Sequence, residues 1–262
     1  MRFVARNEDL APIRIHAGAL AEGVPARDLF VSAGHAMLIE DRLVLARALV
    51  NGVTVTRAQN LEQIHYYQIE LAGHDCVLAE GAWSETFADA AGWRNQFHNV
   101  AEFHELYPHA PPPPDEPNLC APRPEHGPDL MAALRPVAAR ARALVAPGPL
   151  RGWLDMAGES GAIHGWAQDA EHPELPVLVE AFLDGRVLGS ALARDHRADL
   201  AAAGLARGYC AFTIELDAPI PPGRLGGVKV RRVGDGASLE ATQACREKLA
   251  VGPNRAALAL GV

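Results

Sequence analysis

The sequence has few cysteines. It contains four cysteines in 262 residues, and none belongs to a C-x-x-C pair. A structural zinc site built on paired cysteines and a vicinal redox couple are therefore not indicated. We expect free thiols, because disulfide frameworks are typical of shorter secreted chains, although three pairings of four cysteines stay open. We expect neither a cofactor nor a bound metal.

Long hydrophobic runs and basic runs are also missing. No stretch of about 18 apolar residues occurs, so the sequence predicts a soluble protein without a membrane partner. The N-terminus lacks the apolar core of a secretory signal, which makes a cytoplasmic location the default and leaves surface display or non-classical secretion open. The net charge of −8 argues against a nucleic-acid partner, since phosphate binding needs clustered Lys and Arg.

Signatures of common enzymes are missing as well, including the P-loop, the dinucleotide-binding glycines and the G-x-S-x-G elbow. The nearest metal-binding pattern is FHNVAEFHELYPH, with the side chains His98, Glu102, His104, Glu105 and His109. It resembles H-E-x-x-H only loosely, because three residues separate Glu105 from His109 and Pro108 breaks a helix. We favour a solvated or capping segment, with a histidine-based metalloenzyme as an alternative.

Short apolar segments separated by turns predict an all-β unit between residues 11 and 87. The predicted strands are PIRI, DLFVS, AMLIE, LVLARALV, VTVTR, HYYQIEL and DCVLAEG. Glu40-Asp41, Asn51-Gly52 and Ala72-Gly73 tolerate the backbone angles of tight turns, so we expect hairpins.

The second half of the chain begins after PHAPPPPDEP, whose prolines favour an extended conformation. GPDLMAALRPVAARARALVAPG has apolar spacings of four and three residues, which predicts an amphipathic helix that Pro136 kinks or divides. The strands that follow, an Asp184-Gly185 hairpin and a short helix in RADLAAAGLARG predict a β-sandwich. We expect Trp153 and Trp166 in its core rather than on a ligand platform.

These patterns divide the chain into four parts and predict a mainly β fold. The predicted parts are an all-β domain at residues 1–92, a proline-rich and helical linker at 93–149, a β-sandwich accessory module at 150–245 and a tail at 246–262.

Three elements occur in a fixed order in the first part. VSAGHAML places Ser32 three positions before His35, ARALVNG follows, and YYQIELAGHDCVLAEGAWSETF contains His74 and Asp75. A lone Ser-x-x-His is more often a turn with a hydrogen-bonded histidine than a catalytic pair. In this order, however, the elements resemble the Hint superfamily, the hedgehog/intein autoprocessing domain, and especially its bacterial branch. The resemblance covers about residues 11 to 90.

The resemblance implies an all-β domain with self-cleavage chemistry. In Hint domains, a cysteine at the start of the domain attacks the preceding peptide bond and converts the amide to a thioester. By this resemblance, His35 would donate a hydrogen bond to the scissile nitrogen and protonate it, and Ser32 would orient the bond. His74 and Asp75 would transfer protons or activate the second nucleophile.

The sequence departs from the family pattern at the nucleophile. Its first cysteine is Cys76 and no serine precedes Ser32, whereas the family's nucleophile lies upstream of the Ser-x-x-His element. We therefore expect no self-cleavage by this chain alone, and a missing opening segment in cis or in trans as its partner. Splicing is also disfavoured, since Ser84-Glu85 stand where an intein has His-Asn. Missing first strands would leave an unpaired, aggregation-prone sheet edge.

The second part resembles a β-sandwich module of bacterial surface and glycosyltransferase-associated proteins. The resemblance depends on Gly-Trp-Ala-x-Asp at residues 165–169, the Asp-Gly turn, RADLAAAGLARG and Pro-Pro-Gly at residues 221–223. It implies no catalytic residues, and a glycan is the candidate ligand, with Trp166 as a candidate contact. The alternative function is therefore a non-catalytic binding or surface-associated protein in which the Hint-like part is only a scaffold.

Overall fold

Two sets of short antiparallel strands, one in each half of the chain, form two separate units in a computed structural model. The structure describes residues 2–4, 11–59, 63–157, 162–217, 220 and 224–250. The first unit comprises residues 1–50 and 54–140, and the second comprises 51–53 and 141–262. Strands predominate over helices in both, which confirms the predicted mainly β fold.

The first unit contains three small sheets and most of one long helix. Its elements are β1 (Arg2–Val4), β2 (Ile13–Ile15), β3 (Leu29–Val31), β4 (Ala36–Ile39), β5 (Arg42–Leu45), α1 (Ala46–Leu49), β6 (Val55–Arg57), β7 (Gln63–His65), β8 (Cys76–Ala79), β9 (Ala82–Glu85), a 3₁₀ helix (Trp93–Gln96), α2 (Val100–Leu106) and α3 (Gly127–Arg142). The sheets have the strand orders β3-β2-β6, β5-β4-β9-β8 and β1-β7, and the pairs are antiparallel.

Two tight turns with positive φ angles connect neighbouring strands of the four-stranded sheet. Glu40 and Asp41, with φ of 46° and 61°, join β4 to β5 and confirm the predicted hairpin. Glu80 and Gly81, with φ of 53° and 83°, join β8 to β9. Sequence reasoning missed this second hairpin because its last predicted strand in this unit was DCVLAEG, so no strand was assigned to Ala82–Glu85.

Two predicted strands are shorter in the structure. LVLARALV is a strand only as far as Leu45, and α1 follows; the N–H of Ala46, the first residue of α1, donates to the carbonyl of His35 at 2.7 Å. HYYQIEL is a strand only at His65. Its apolar side chains do not reach the core, since Tyr67 is 85% exposed and Ile69 is 59% exposed.

The amphipathic helix is confirmed as α3. Its apolar face buries Leu130, Leu134 and Val137. The helix continues through Pro136, so the predicted alternative of two separate helices is wrong. Burial of the apolar face on both sides of the proline stabilises the continuous helix against the hydrogen bond that proline cannot donate.

Residues beyond position 92 contribute to the first unit. The N–H of Leu43 in β5 donates to the carbonyl of Pro122 at 2.9 Å. Leu119 and Ala121 pack against a buried cluster that includes Ala36. The first unit therefore extends into residues 93–140, which were expected to be part of a linker. The predicted domain boundaries stay predictions.

The second unit contains a five-stranded and a three-stranded sheet. Its elements are β10 (Leu150–Ala157), β11 (Ala162–Asp169), β12 (Val177–Leu183), β13 (Arg186–Ala193), β14 (Asp195–His196), α4 (Ala198–Ala202), a 3₁₀ helix (Ala206–Gly208), β15 (Tyr209–Glu215), a 3₁₀ helix (Leu225–Gly227), β16 (Lys229–Arg232), β17 (Glu240–Ala241) and α5 (Gln243–Ala250). The strand orders are β14-β15-β11-β10-β17 and β13-β12-β16. The β10–β17 pair is parallel, and the others are antiparallel.

Both sheets of this unit contribute to one hydrophobic core. Ile163 and Phe212 come from the five-stranded sheet, and Val179 and Val230 come from the three-stranded sheet. The predicted hairpin at Asp184-Gly185, with φ of 50° and 81°, joins β12 to β13, and the predicted short helix is α4. Two sheets around a shared core fit the expected sandwich, while assignment to a known module stays a prediction.

The prediction that Trp153 lies in the core is wrong. Trp153 is 41% exposed, whereas the next residue, Leu154, is buried in the core. Successive side chains of a strand point to opposite faces, so only one of the two can face inward. Trp166 is partly buried against a smaller cluster around Leu200.

Parts of the second half lie outside the described residues, namely the Pro-Pro-Gly element at 221–223 and the end of the predicted tail at 251–262. Across the described ranges, no helix has the length and apolar character of a membrane span.

Candidate functional site

The backbone of His35 is held in a tight turn between β3 and β4. Its N–H donates to the carbonyl of Ser32 at 3.1 Å, and its carbonyl accepts from the N–H of Ala46 at 2.7 Å. The N–H of Arg47 donates to the carbonyl of Ala33 at 3.1 Å. These bonds fix the main chain on both sides of His35, so the direction of its imidazole is set by the fold.

The imidazole of His35 contacts a hydroxyl from another strand. Its Nε2 lies 2.6 Å from Oγ of Ser84 in β9, which pairs with Met37 of β4. Burial lowers the pKa of His35 below its ordinary value of 6.5; the charge of Glu85 opposes this shift and that of Arg123 adds to it. The imidazole is therefore neutral at neutral pH and can either donate to the hydroxyl or accept from it.

Glu85 is the charged centre beside this pair. It is 7% exposed, and its Oε1 accepts from the N–H of Ala36 at 2.7 Å. Its Oε2 lies 3.4 Å from Nε2 of His74 and is paired with the guanidinium of Arg123. A buried carboxylate needs such partners because its desolvation is otherwise costly.

His74 joins Glu85 to the segment that contains Cys120. The side chain of His74 is 2% exposed, and its Nδ1 accepts from the N–H of Cys120 at 3.0 Å. Because Nδ1 is the acceptor, the imidazole proton lies on Nε2, which faces Glu85.

Asp75 is not part of this charged cluster. Its Oδ1 accepts from the N–H of Cys76 at 2.7 Å, and the residue is exposed. Its backbone carbonyl accepts from the N–H of Thr86 at 2.8 Å and from the Thr86 hydroxyl at 2.9 Å. Asp75 thus holds the open end of the β8–β9 hairpin, while His74 pairs with Glu85.

A cavity of about 610 Å³ lies beside His35. Polar and aromatic side chains share its wall, and they include Ser32, His35, Ser84, Glu85, Arg123, Phe30, Tyr67, Phe87, Trp93 and Phe97. A volume of this size accommodates a small ligand or a few residues of peptide. Of the four predicted residues, Ser32 and His35 line the cavity and His74 reaches it through Glu85, whereas Asp75 does not line it.

Sequence reasoning missed Ser84, Glu85 and Arg123 as members of the site. The available signal was that Ser84-Glu85 stand where an intein has His-Asn; their burial, with exposures of 6% and 7%, is visible only in the structure. Arg123 had no local signal. It lies 38 positions from Glu85, and only the tertiary fold brings them together.

The alternative metal-binding segment lies in and around α2, which ends at Leu106, before Pro108. His98 precedes the helix and His109 follows it. Among the described residues, no group of three or more His, Cys, Asp or Glu side chains is arranged to hold a metal ion.

The fold and the site together define a mainly β domain with buried acid–base groups beside a cavity. A protein-family model described as Hint domain matches residues 1–91, which supports a relation of this part to hedgehog/intein-type domains. The matched residues include the His35 turn and Glu85, whereas Arg123 follows them. Comparisons with curated proteins and with solved structures gave no match.

Proposed function

We propose that the first unit supplies the acid–base groups of a Hint-type peptide-bond cleavage, with His35 acting on the scissile amide. The observation that carries this proposal is the position of the His35 imidazole, 2.6 Å from the Ser84 hydroxyl at the wall of the cavity. The Hint domain match supports it, since the His35 turn lies within the matched residues.

His35 has the properties that a leaving amine requires. An amide nitrogen leaves readily only when it is protonated, so the neutral imidazole would first take the proton of the nucleophile's thiol and then donate it to the nitrogen. The Ser84 hydroxyl can hydrogen-bond the ring in either protonation state, because a hydroxyl both donates and accepts. The charge of Glu85 favours protonated His35 and would stabilise the imidazolium during proton transfer.

The other predicted residues receive supporting roles. The Ser32 carbonyl holds the N–H of His35, and Ser32 lies where it could orient a bound peptide. We assign His74 as a positioning residue for Glu85, because its Nε2 faces that carboxylate. Asp75 stays a candidate for proton transfer by resemblance alone, and its contacts favour a structural role in the hairpin.

The nucleophile of this reaction comes from outside residues 1–75, which contain no cysteine. Cys76 does not suit the role, because burial and the neighbouring Cys120 raise the pKa of its thiol to about 12. A cysteine-bearing opening segment, in cis or in trans, is therefore the partner that the proposal requires. Residues 1–262 without that segment are not expected to cleave a peptide bond.

The proposal is tested by placing a reporter protein and a cysteine-bearing Hint opening segment before residue 1. Release of the reporter, with and without added thiol, is followed by mass spectrometry. His35→Ala should slow release by about a hundredfold or more, because the proton donor is lost. His98→Ala removes an exposed histidine and should leave the rate unchanged. Equal rates for His35→Ala and the parent chain would overturn the assignment, provided circular dichroism shows both folded.

A second candidate function is glycan binding by the second unit. It corresponds to the alternative that the chain is a non-catalytic binding protein. Trp153 is 41% exposed and lies opposite Trp166 in the β10–β11 register. Adjacent aromatic side chains on a sheet face suit the stacking of sugar rings. Titration with soluble glycans should change the tryptophan fluorescence of the parent chain and not that of Trp153→Ala.

A further inference from the structure

Two thiols outside the proposed acid–base machinery face each other. The Sγ atoms of Cys76 and Cys120 are 3.9 Å apart. Cys120 is exposed and Cys76 is partly exposed, so small reagents in solution can reach the pair. A disulfide bond is about 2.05 Å long, so the two sulfurs need to approach by only about 2 Å.

Glu85 with its partners His74, Arg123 and the N–H of Ala36 is called the Glu85 cluster, and each cysteine is attached to a different part of it. Cys76 opens β8, and its main chain is paired with Glu85 in the β8–β9 register. Cys120 donates its N–H to His74, and Arg123 three residues later is paired with Glu85. A covalent bond between the two sulfurs would therefore join both sides of this cluster.

The chain between the two cysteines also forms part of the cavity wall. Phe87, Trp93 and Phe97 lie in this segment and line the cavity beside His35. Fixing the two ends of the segment to each other restricts the conformations available to the wall.

We propose that Cys76 and Cys120 are a modification site. Small-molecule disulfides such as oxidised glutathione oxidise the two thiols to a reversible Cys76–Cys120 disulfide, and this bond braces the cavity. Formation of the disulfide does not depend on the proposed cleavage function.

The reaction proceeds by two thiol–disulfide exchanges. The thiolate of Cys120 attacks one sulfur of oxidised glutathione, which forms a mixed disulfide and releases one glutathione thiolate. Cys76 then loses its proton and attacks Sγ of Cys120, which releases the second glutathione. The two protein thiols are oxidised to one disulfide, and one oxidised glutathione is reduced to two thiols.

The exposure of the two thiols sets the order of these steps. Burial is the largest cause, and the neighbouring Cys120 the next, of the rise in the pKa of Cys76 to about 12. Cys76 is therefore a poor nucleophile at neutral pH. The first attack therefore falls to Cys120. In the mixed disulfide the Cys120 sulfur can no longer be a thiol or a thiolate, which removes one cause of the raised pKa of Cys76.

The site is tested by incubating the full chain with oxidised glutathione and mapping its cysteines after denaturation, alkylation and digestion. We expect one intramolecular disulfide between Cys76 and Cys120, while Cys210 and Cys245, which are buried, are alkylated as free thiols. Cys210→Ser is the matched control and should form the same bond. Cys120→Ser should leave Cys76 free. A stable mixed disulfide at Cys120, a bond between two chains, or two unreacted thiols would each overturn the site.

The bracing effect is measured separately by hydrogen exchange. The N–H of Ala36 donates to Glu85, so its exchange reports how firmly the cluster is held. Oxidation should slow this exchange by about tenfold in the parent chain and in Cys210→Ser, but not in Cys120→Ser. Unchanged exchange in the oxidised parent would overturn the bracing. If the disulfide forms but His35→Ala still cleaves in the reconstituted reaction, the cleavage proposal fails and the modification site stands.

Discussion

Glu85 shows how one residue determines the local arrangement of the first unit. Its carboxylate is bound by a backbone N–H, a histidine and an arginine, which come from β4, the start of the β8 region and the segment after Cys120. Glu85 is only 7% exposed, so its carboxylate has lost most of its hydration. It is compatible with a stable fold only while these partners compensate that loss. The same contacts place Glu85 next to His35, so structure and chemistry depend on one side chain.

Glu85→Gln should destabilise the protein markedly. Glutamine has nearly the same shape, but it leaves the guanidinium of Arg123 partly buried without its carboxylate, which costs about 3 kcal/mol of unfolding free energy. Urea denaturation measures the loss. Glu80→Gln is the control, because Glu80 forms an exposed pair with Arg27 and its removal should not move the urea midpoint. Equal midpoints for the two variants would contradict the central role of Glu85.

The buried imidazole of His35 should make stability depend on pH. Burial lowers the pKa of His35 below 6.5, so near that pH the unfolded state binds more protons than the folded state. The contribution to stability is complete above pH 6.5 and is lost as pH falls through the lower pKa of the folded state.

The test compares unfolding free energies at about pH 7.5 and about pH 5.5. The parent chain should lose more stability on acidification than His35→Gln, which keeps a neutral polar side chain. His98→Gln should behave like the parent, because His98 is exposed. A steeper loss in His35→Gln than in the parent would have the wrong sign for this mechanism.

At the scale of secondary-structure elements, the two halves of the chain differ in the length of their strands. The first unit uses short strands joined by turns with positive φ, such as Glu80-Gly81. The second unit has longer strands, and β10, β11 and β15 approach closely at Gly165. A Cβ on Gly165 would lie 2.4 Å from the carbonyl oxygen of Trp153 and 2.6 Å from Cζ of Phe212.

Gly165→Ala should therefore destabilise the second unit. The added methyl group meets a backbone carbonyl that cannot move without disturbing the β10–β11 ladder, and overpacking of this kind costs about 2 kcal/mol. The measurement is the urea midpoint followed by circular dichroism. Gly73→Ala adds the same atoms where nothing lies within 4 Å and should change the midpoint little. A Gly165→Ala protein as stable as Gly73→Ala would show that the strands can separate to admit a methyl group.

Local sequence was sufficient for some of these elements and insufficient for others. Asp184-Gly185 and Glu40-Asp41 were predicted correctly as hairpin turns, because the residues at a tight turn carry their own conformational preference. LVLARALV was assigned too long a strand, because its apolar pattern does not distinguish a strand from a short buried helix. The helix starts where His35 provides a carbonyl, and that contact is not visible in the local sequence.

At the scale of the whole molecule, composition and structure constrain function in different ways. The net charge of −8 is the reason the sequence predicts no polyanionic partner, and this stays a prediction. The two units each have their own sheets and buried cluster, and the two proposed functions are assigned to different units: cleavage to the cavity beside His35 and ligand binding to the exposed tryptophan face of the second unit.

The sequence by itself determined the mainly β class, the amphipathic helix α3 and the Hint resemblance of the first part, because each depends on patterns among neighbouring residues. It also singled out Ser32, His35, His74 and Asp75. Only the tertiary structure decided that His35 meets Ser84, that His74 pairs with Glu85, and that Cys76 faces Cys120. These pairs are 11 to 49 positions apart, and no local pattern specifies such contacts, since they arise from strand register and burial of charge.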